Sequence, residues 1–105
     1  MAWIYLVIAG VLEIVWALAM KQSHGFTKLV PSIVTLVGMI ASFWLLALAM
    51  RTLPLGTAYT IWTGIGAVGA FIIGIIFLGE QISAMRIGAA VLIVSGLVLM
   101  KLSSS

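Results

Sequence analysis

Glu13 stands in the middle of an apolar run and is the residue of this chain best suited to chemistry. A carboxylate can bind a cation, and it can take up or release a proton. A charged side chain at the centre of a membrane helix costs about 2.5–3.5 kcal/mol on insertion scales, so such a residue is functional by default. The competing reading is a structural carboxylate paired with a cation on a neighbouring helix. Lys21, Lys28, Arg51, Arg86 and Lys101 all fall at the ends of apolar runs or between them, so none is at the depth of Glu13.

Helical spacing builds a face around the acid. Gly10, Glu13, Ala17 and Met20 share one stripe, with Trp16 three residues from Glu13. Gly10 is expected to leave open space beside the carboxylate, and Trp16 brings a flat ring with one indole N–H donor. Ser42, near the middle of the second run, can donate a hydroxyl at the same depth or bond its own i−4 carbonyl. Tyr59, Trp62, Thr63 and Gly66 lie on one face of the third run. Trp3 and Tyr5 read as interfacial belt residues. Trp62 is too deep for that role and is expected to line a cavity, offering its ring to a cation.

Gly64-Ile65-Gly66-Ala67-Val68-Gly69 matches G-x-G-x-x-G. The dinucleotide reading fails, because no strand precedes it and no acid follows about 20 residues later. Gly66, Ala70 and Gly74 instead suit small-xxx-small packing, and a glycine-dense membrane helix can bend. On the fourth run Gly88, Leu92, Ser95 and Gly96 form a compact face suited to association between chains.

These residues need helices that cross lipid. Of 105 residues 65% are hydrophobic and 7% charged, where a soluble domain carries about a quarter charged. Seven charged side chains cannot cover a water-facing surface, so most of the protein must face lipid. Spanning takes about 20 apolar residues. Four runs qualify, at about 2–21, 29–50, 57–78 and 84–102, in one domain covering residues 1–105. Pro31 sits in the first turn of the second run, where a missing N–H is tolerated, and Ser83 is a candidate N-cap of the fourth. The runs do not alternate, which argues against a β-barrel. The fold class is therefore all-α, with four transmembrane helices per chain.

The rest of the composition excludes several classes. The chain has no cysteine and one histidine, His24, which reads as a loop residue, so no metal or other cofactor is expected. Five scattered cations make no nucleic-acid patch, and no nucleophile–base pair suggests an enzyme. The first run lacks a basic leader and contains Glu13, so a cleaved signal peptide is not expected. Arg51 and Lys101 fall on the face that carries both termini, and Lys21, Lys28 and Arg86 on the other. With two cations against three, the chain lacks a clear orientation signal.

Four helices are too few to enclose a water-filled cavity and still pack together. An antiparallel, dual-topology homodimer answers both points and brings two Glu13 carboxylates together at the midplane, as inverted repeats do in larger transporters. There, cation and proton compete for the same oxygens, which is the basis of proton-coupled antiport.

The residues that carry this argument resemble the small multidrug resistance transporters, and within them the guanidinium-exporter subtype. The likeness spans essentially the whole chain: Ala9 to Ala17 around Glu13, Lys21 to Phe26, and Leu53 to Gly69. Gly10, Trp16 and Lys101 point to the subtype. The resemblance implies an antiparallel homodimer in a bacterial inner (cytoplasmic) membrane, exchanging guanidinium for protons. It implies that Glu13 binds both, that Trp16 and Ser42 hydrogen-bond the carboxylate, and that Tyr59 switches contact between the two glutamates. It also implies that Trp62 walls the cavity and that Gly64 to Gly69 bends as a hinge. Guanidinium is planar, and its N–H groups can pair with carboxylates as a fork. One departure is Thr60, where the subtype usually carries alanine. It sits beside Tyr59, where substrate enters, and leaves substituted guanidinium or quaternary ammonium cations as alternative cargo. A small structural or regulatory subunit without transport is the reading from another class, and an unpaired buried acid argues against it. Besides a second copy of itself, the expected partners are small organic cations, protons and membrane lipid.

Reporter fusions at the C-terminus should be active on both sides of the membrane, and activity on one side alone would exclude dual topology.

Overall fold

The computed structural model describes residues 2–103, so the last two serines of the polar tail lie outside the described residues. The described residues form four helices, α1 (Ala2–Gln22), α2 (Leu29–Ala49), α3 (Leu55–Leu78) and α4 (Ala84–Ser103). Each is long and apolar enough to cross a membrane. At 1.5 Å per residue, 21 residues of helix reach about 31 Å, which matches the hydrocarbon thickness of a bilayer.

The ends follow from local chemistry. Ser23 closes α1: its hydroxyl donates to the Met20 carbonyl at 2.6 Å and accepts the Phe26 N–H at 3.0 Å. His24, Gly25 and Phe26 then turn through positive φ, at 49°, 73° and 68°. Pro54 precedes α3 with φ −60° and ψ 151° and accepts the Ala58 N–H through its carbonyl at 3.0 Å. Leu55 and Gly56 therefore belong to the first helical turn, and α3 starts at residue 55 instead of 57. Proline's fixed φ suits this boundary. Gly79 ends α3 at φ 69°, the left-handed stop that glycine accommodates. Ser83 caps α4, its Oγ accepting the Arg86 N–H at 3.1 Å.

α1 lies between α2 and α3, whose backbones approach each other at few points and which meet mainly through side chains, and the backbone of α4 packs against α3. The core is Leu6 and Ala9 from α1, Leu46 and Ala49 from α2, and Ala58, Ile61 and Trp62 from α3. No residue of α4 is buried. Its Lys101 ammonium sits 4.8 Å from the Trp3 ring centre and so reaches α1. Lys21 and Glu80 line one cleft, and Arg51 shares another with Ala2 and Tyr5. The helices thus alternate in direction, with Lys21 and Glu80 at one end and Arg51 and Lys101 at the other.

Gly10 does not face open space. A Cβ there would meet the branch of Ile65, within 2.8 Å of its Cβ. The expected room beside the carboxylate is filled by α3, and glycine is what lets the two backbones approach. Gly88 and Gly96 on α4 have nothing within 4 Å of a built Cβ, and Leu92 is exposed. The face read as an association surface is therefore uncovered within the chain.

Gly10→Ala should overpack the α1–α3 contact and cost about 1–3 kcal/mol. Thermal unfolding in detergent would show this, and Gly10→Ala/Ile65→Ala should recover part of the loss.

Candidate functional site

Glu13 is the twelfth of the 21 residues of α1 and is half-buried. Its Oε1 is buried and has no hydrogen-bond partner among the described residues. The indole Nε1 of Trp16, one turn further on, is buried and unpartnered in the same way. An unpaired acceptor and an unpaired donor within one turn are uncommon, because a buried polar group normally finds a partner. The described cations lie toward the bundle ends. Lys101 is over Trp3, and the Arg86 guanidinium donates to the Gln81 carbonyl at 3.0 Å.

Three helices supply the surroundings. Trp16 approaches α2 at Gly38, where a built Cβ would lie 3.0 Å from the Trp16 Cβ. Phe43 of α2 meets the edge of Trp16 with ring centres 6.2 Å apart. On its other side Phe43 meets Trp62 at 5.6 Å, and Trp62 meets Tyr59 at 5.5 Å. Tyr59, Trp62, Phe43 and Trp16 thus form a continuous aromatic row across α3, α2 and α1. Ring faces attract cations when water is excluded.

The row is anchored by a buried relay. Trp62 Nε1 donates to Ser42 Oγ at 2.9 Å, and Ser42 Oγ donates to the Ala9 carbonyl at 2.7 Å. Ala9 is four residues before Glu13, so the helical repeat assigns its carbonyl to the Glu13 N–H. Ser42 bonds neither the Glu13 carboxylate nor its own i−4 carbonyl. Its proton is committed to the backbone of α1. Trp62 is 7% exposed and Ser42 wholly buried, so the relay is sealed between the packed helices.

The structure gathers most of the expected site and separates one part of it. Glu13, Trp16, Ser42, Trp62 and Gly66 converge between α1, α2 and α3. Thr60 instead turns toward α4. With Tyr59, Thr63, Gly64, Ala67 and Leu97 it lines a groove of about 450 Å³ between α3 and α4. Tyr59, 52% exposed, belongs to both the groove and the aromatic row. Gly64 receives Leu97 of α4, Gly69 receives Ile14, and Gly66 receives Glu13 itself. α3 runs unbroken through all three. Phe43 is the residue that the sequence reading missed. Its place beside Ser42 at mid-helix was the available signal. Among the described residues no group of three or more His, Cys, Asp and Glu side chains could hold a metal.

Known proteins resemble this chain closely. Residues 1–94 match the family described as Small Multidrug Resistance protein. The chain is 60% identical over 104 residues to the guanidinium exporter of Yersinia pseudotuberculosis serotype I (strain IP32953), covering 99% of this chain and all of that protein. It is 57% identical to the guanidinium exporter of Escherichia coli (strain K12), and 58% to that of Citrobacter freundii. Each of these two alignments covers 99% of both chains.

Ser42→Ala should leave the Trp62 indole without its acceptor and lower stability by about 1–3 kcal/mol. The intrinsic tryptophan emission of the folded variant should change with it. An unchanged melting temperature and spectrum would contradict the relay.

Proposed function

The chain belongs to the Small Multidrug Resistance family, and from that premise we propose that it exports guanidinium in exchange for protons. The observation that carries the proposal is the buried Glu13 oxygen with no partner in its own protein. A carboxylate so placed needs a proton or a cation, and the two exclude each other. The names of the relatives supply the cargo. The chemistry agrees, since a planar cation with N–H donors can fork onto carboxylate oxygens and lie against aromatic faces.

In this reading the chain is one four-helix transmembrane domain in the cytoplasmic membrane of a bacterium. Two copies insert in opposite orientations and join as an antiparallel homodimer, through α4 faces that include Gly88, Leu92, Ser95 and Gly96. The pair of Glu13 carboxylates is the shared site for cation and proton. Trp16 offers its free indole N–H to that site, and Trp62 walls it. Tyr59, exposed and tilted against the ring of Trp62, exchanges contact between the two carboxylates. Ser42 can serve the carboxylate only by releasing Ala9, which couples its hydrogen bond to the state of the site. Bending near Gly64 to Gly69 opens the dimer to alternate sides. Guanidinium entering from one side displaces protons, and protons entering from the other displace guanidinium.

Broader efflux of quaternary ammonium or substituted guanidinium cations is favoured by one observation. The aromatic row presents Phe43 at 46% exposure, and a cation without N–H groups relies on such walls. Thr60 bears less on this choice, because it faces the groove beside α4 and not the carboxylate.

Proteoliposomes loaded with a pH indicator separate the readings. Guanidinium should drive proton movement, and tetrapropylammonium should not. Comparable signals from both would favour the broader cargo. Glu13→Gln should reduce guanidinium transport and guanidinium-dependent proton release to background, and survival of either would refute the scheme. Apparent guanidinium affinity should weaken as pH falls, because protons compete for the same oxygens.

A further inference from the structure

The three glycines of the Gly64–Gly69 stretch receive different side chains. A Cβ built on Gly64 meets the end of Leu97, and one on Gly69 meets the end of Ile14. A Cβ built on Gly66 meets Oε1, Cδ and Cγ of Glu13, the whole outer arm of the acid. Gly66 is therefore the position where the α3 backbone and the carboxylate occupy adjoining space. The oxygen nearest to it, Oε1, is also the one that is buried without a hydrogen-bond partner. The two observations coincide on one atom.

The backbone explains why the oxygen stays unpartnered. Gly66 lies well inside α3, so its N–H is committed to the helical repeat and has no proton to offer sideways. Glycine has no side chain to offer one either. A serine or threonine here would fill the space and supply a hydroxyl. The α3 surface under Glu13 is thus a floor that sets the position of the carboxylate without satisfying it.

We propose that Gly66 is a positioning residue, the seat that fixes the place of the Glu13 carboxylate while leaving Oε1 free for a proton or a cation. This deepens the transport reading and rests on it for its functional meaning, yet the seat itself can be measured without any cargo. It differs from a hinge role. A hinge needs backbone freedom at Gly66, whereas a seat needs the volume of the missing Cβ.

The nature of the contact sets the expected effect. At Gly10 the obstructing atoms belong to the Cβ branch of Ile65, close to the backbone, so a methyl there disturbs packing. At Gly66 they belong to the outer end of a glutamate arm, which can rotate away. Gly66→Ala should leave the helices assembled and displace the carboxylate. A displacement near 1 Å can cost about a hundredfold where geometry matters, so apparent guanidinium affinity should weaken at least tenfold.

The test combines three measurements. First, the protein is prepared with carbon-labelled glutamate and no organic cation. The chain has two acidic residues, Glu13 and Glu80. In Gly66→Ala the Glu13 carboxyl resonance should move and that of Glu80 should stay, and an unmoved Glu13 signal overturns the seat. Second, proteoliposome transport of Gly66→Ala should show a raised KM for guanidinium with kcat less affected. A fall in kcat at unchanged KM favours the hinge and overturns the seat. Third, Glu13→Asp shortens the arm by one methylene and makes room for the methyl. Gly66→Ala/Glu13→Asp should bind guanidinium better than the two single losses multiplied together, and a multiplicative or worse double overturns the proposal. If Gly66→Ala aggregates, a monodisperse double variant supports the seat, and aggregation of both overturns it. A wild-type protein that moves no guanidinium would end the transport reading, while the resonance of Glu13 would still judge the seat.

Discussion

An ionisable side chain at the middle of a lipid-spanning helix must be accommodated by what surrounds it, and here the surroundings decline to neutralise it. Glu13 is half-buried against α3, the basic side chains lie toward the bundle ends, and Oε1 lacks a protein partner. Water would solvate such an oxygen at little cost, but a low-dielectric interior does not. In the proposed function, that unmet demand is what draws a proton or a cation to the site. Most other features near the midplane follow from keeping that demand unmet while holding the carboxylate in place.

The central position of α1 is one such feature. Packed between α2 and α3, it sets Glu13 against α3 and Trp16 against α2, and each neighbour approaches as closely as its side chains permit. Gly38 admits Trp16, Gly10 admits Ile65, and Gly66 admits Glu13. Small residues let membrane helices gain van der Waals contact where the hydrophobic effect contributes little between them. Here they also decide which large groups stand next to the acid. The Trp62–Ser42–Ala9 relay adds direction to this packing. It ties the aromatic wall of α3, through α2, to the carbonyl one turn before Glu13, so wall and acid share a backbone reference.

α4 stands apart from this arrangement. None of its residues is buried, and it touches the core mainly by Leu97, Met100 and Lys101 over Trp3. A helix with that much uncovered apolar surface is at home in lipid or against another helix. The groove it forms with α3 takes Thr60 and Thr63 away from the carboxylate. The chain thus has a compact half that builds the candidate site and an outlying helix free to make contacts of its own.

Several elements were legible in the sequence because they rest on local or compositional physics. Apolar run length dictates membrane-spanning helices, and Pro31, Gly79 and Ser83 mark ends through their own backbone and hydroxyl chemistry. The depth of Glu13 and its lack of a basic neighbour also follow from linear position alone. Other features depended on which helix sits against which. That Ser42 gives its proton to Ala9, that Ile65 fills the room beside Gly10, and that Phe43 joins the aromatic row are facts of inter-helix register. In a chain this uniformly apolar, hydrophobic patterning says little about which face of each helix turns inward. Van der Waals fit and a few hydrogen bonds choose the register, and those exist only once the helices are packed. The sequence by itself determined the kind of protein and the acid at its centre. The tertiary structure alone decided the floor, walls and anchors around that acid, because side-chain volume acts only at contact distance.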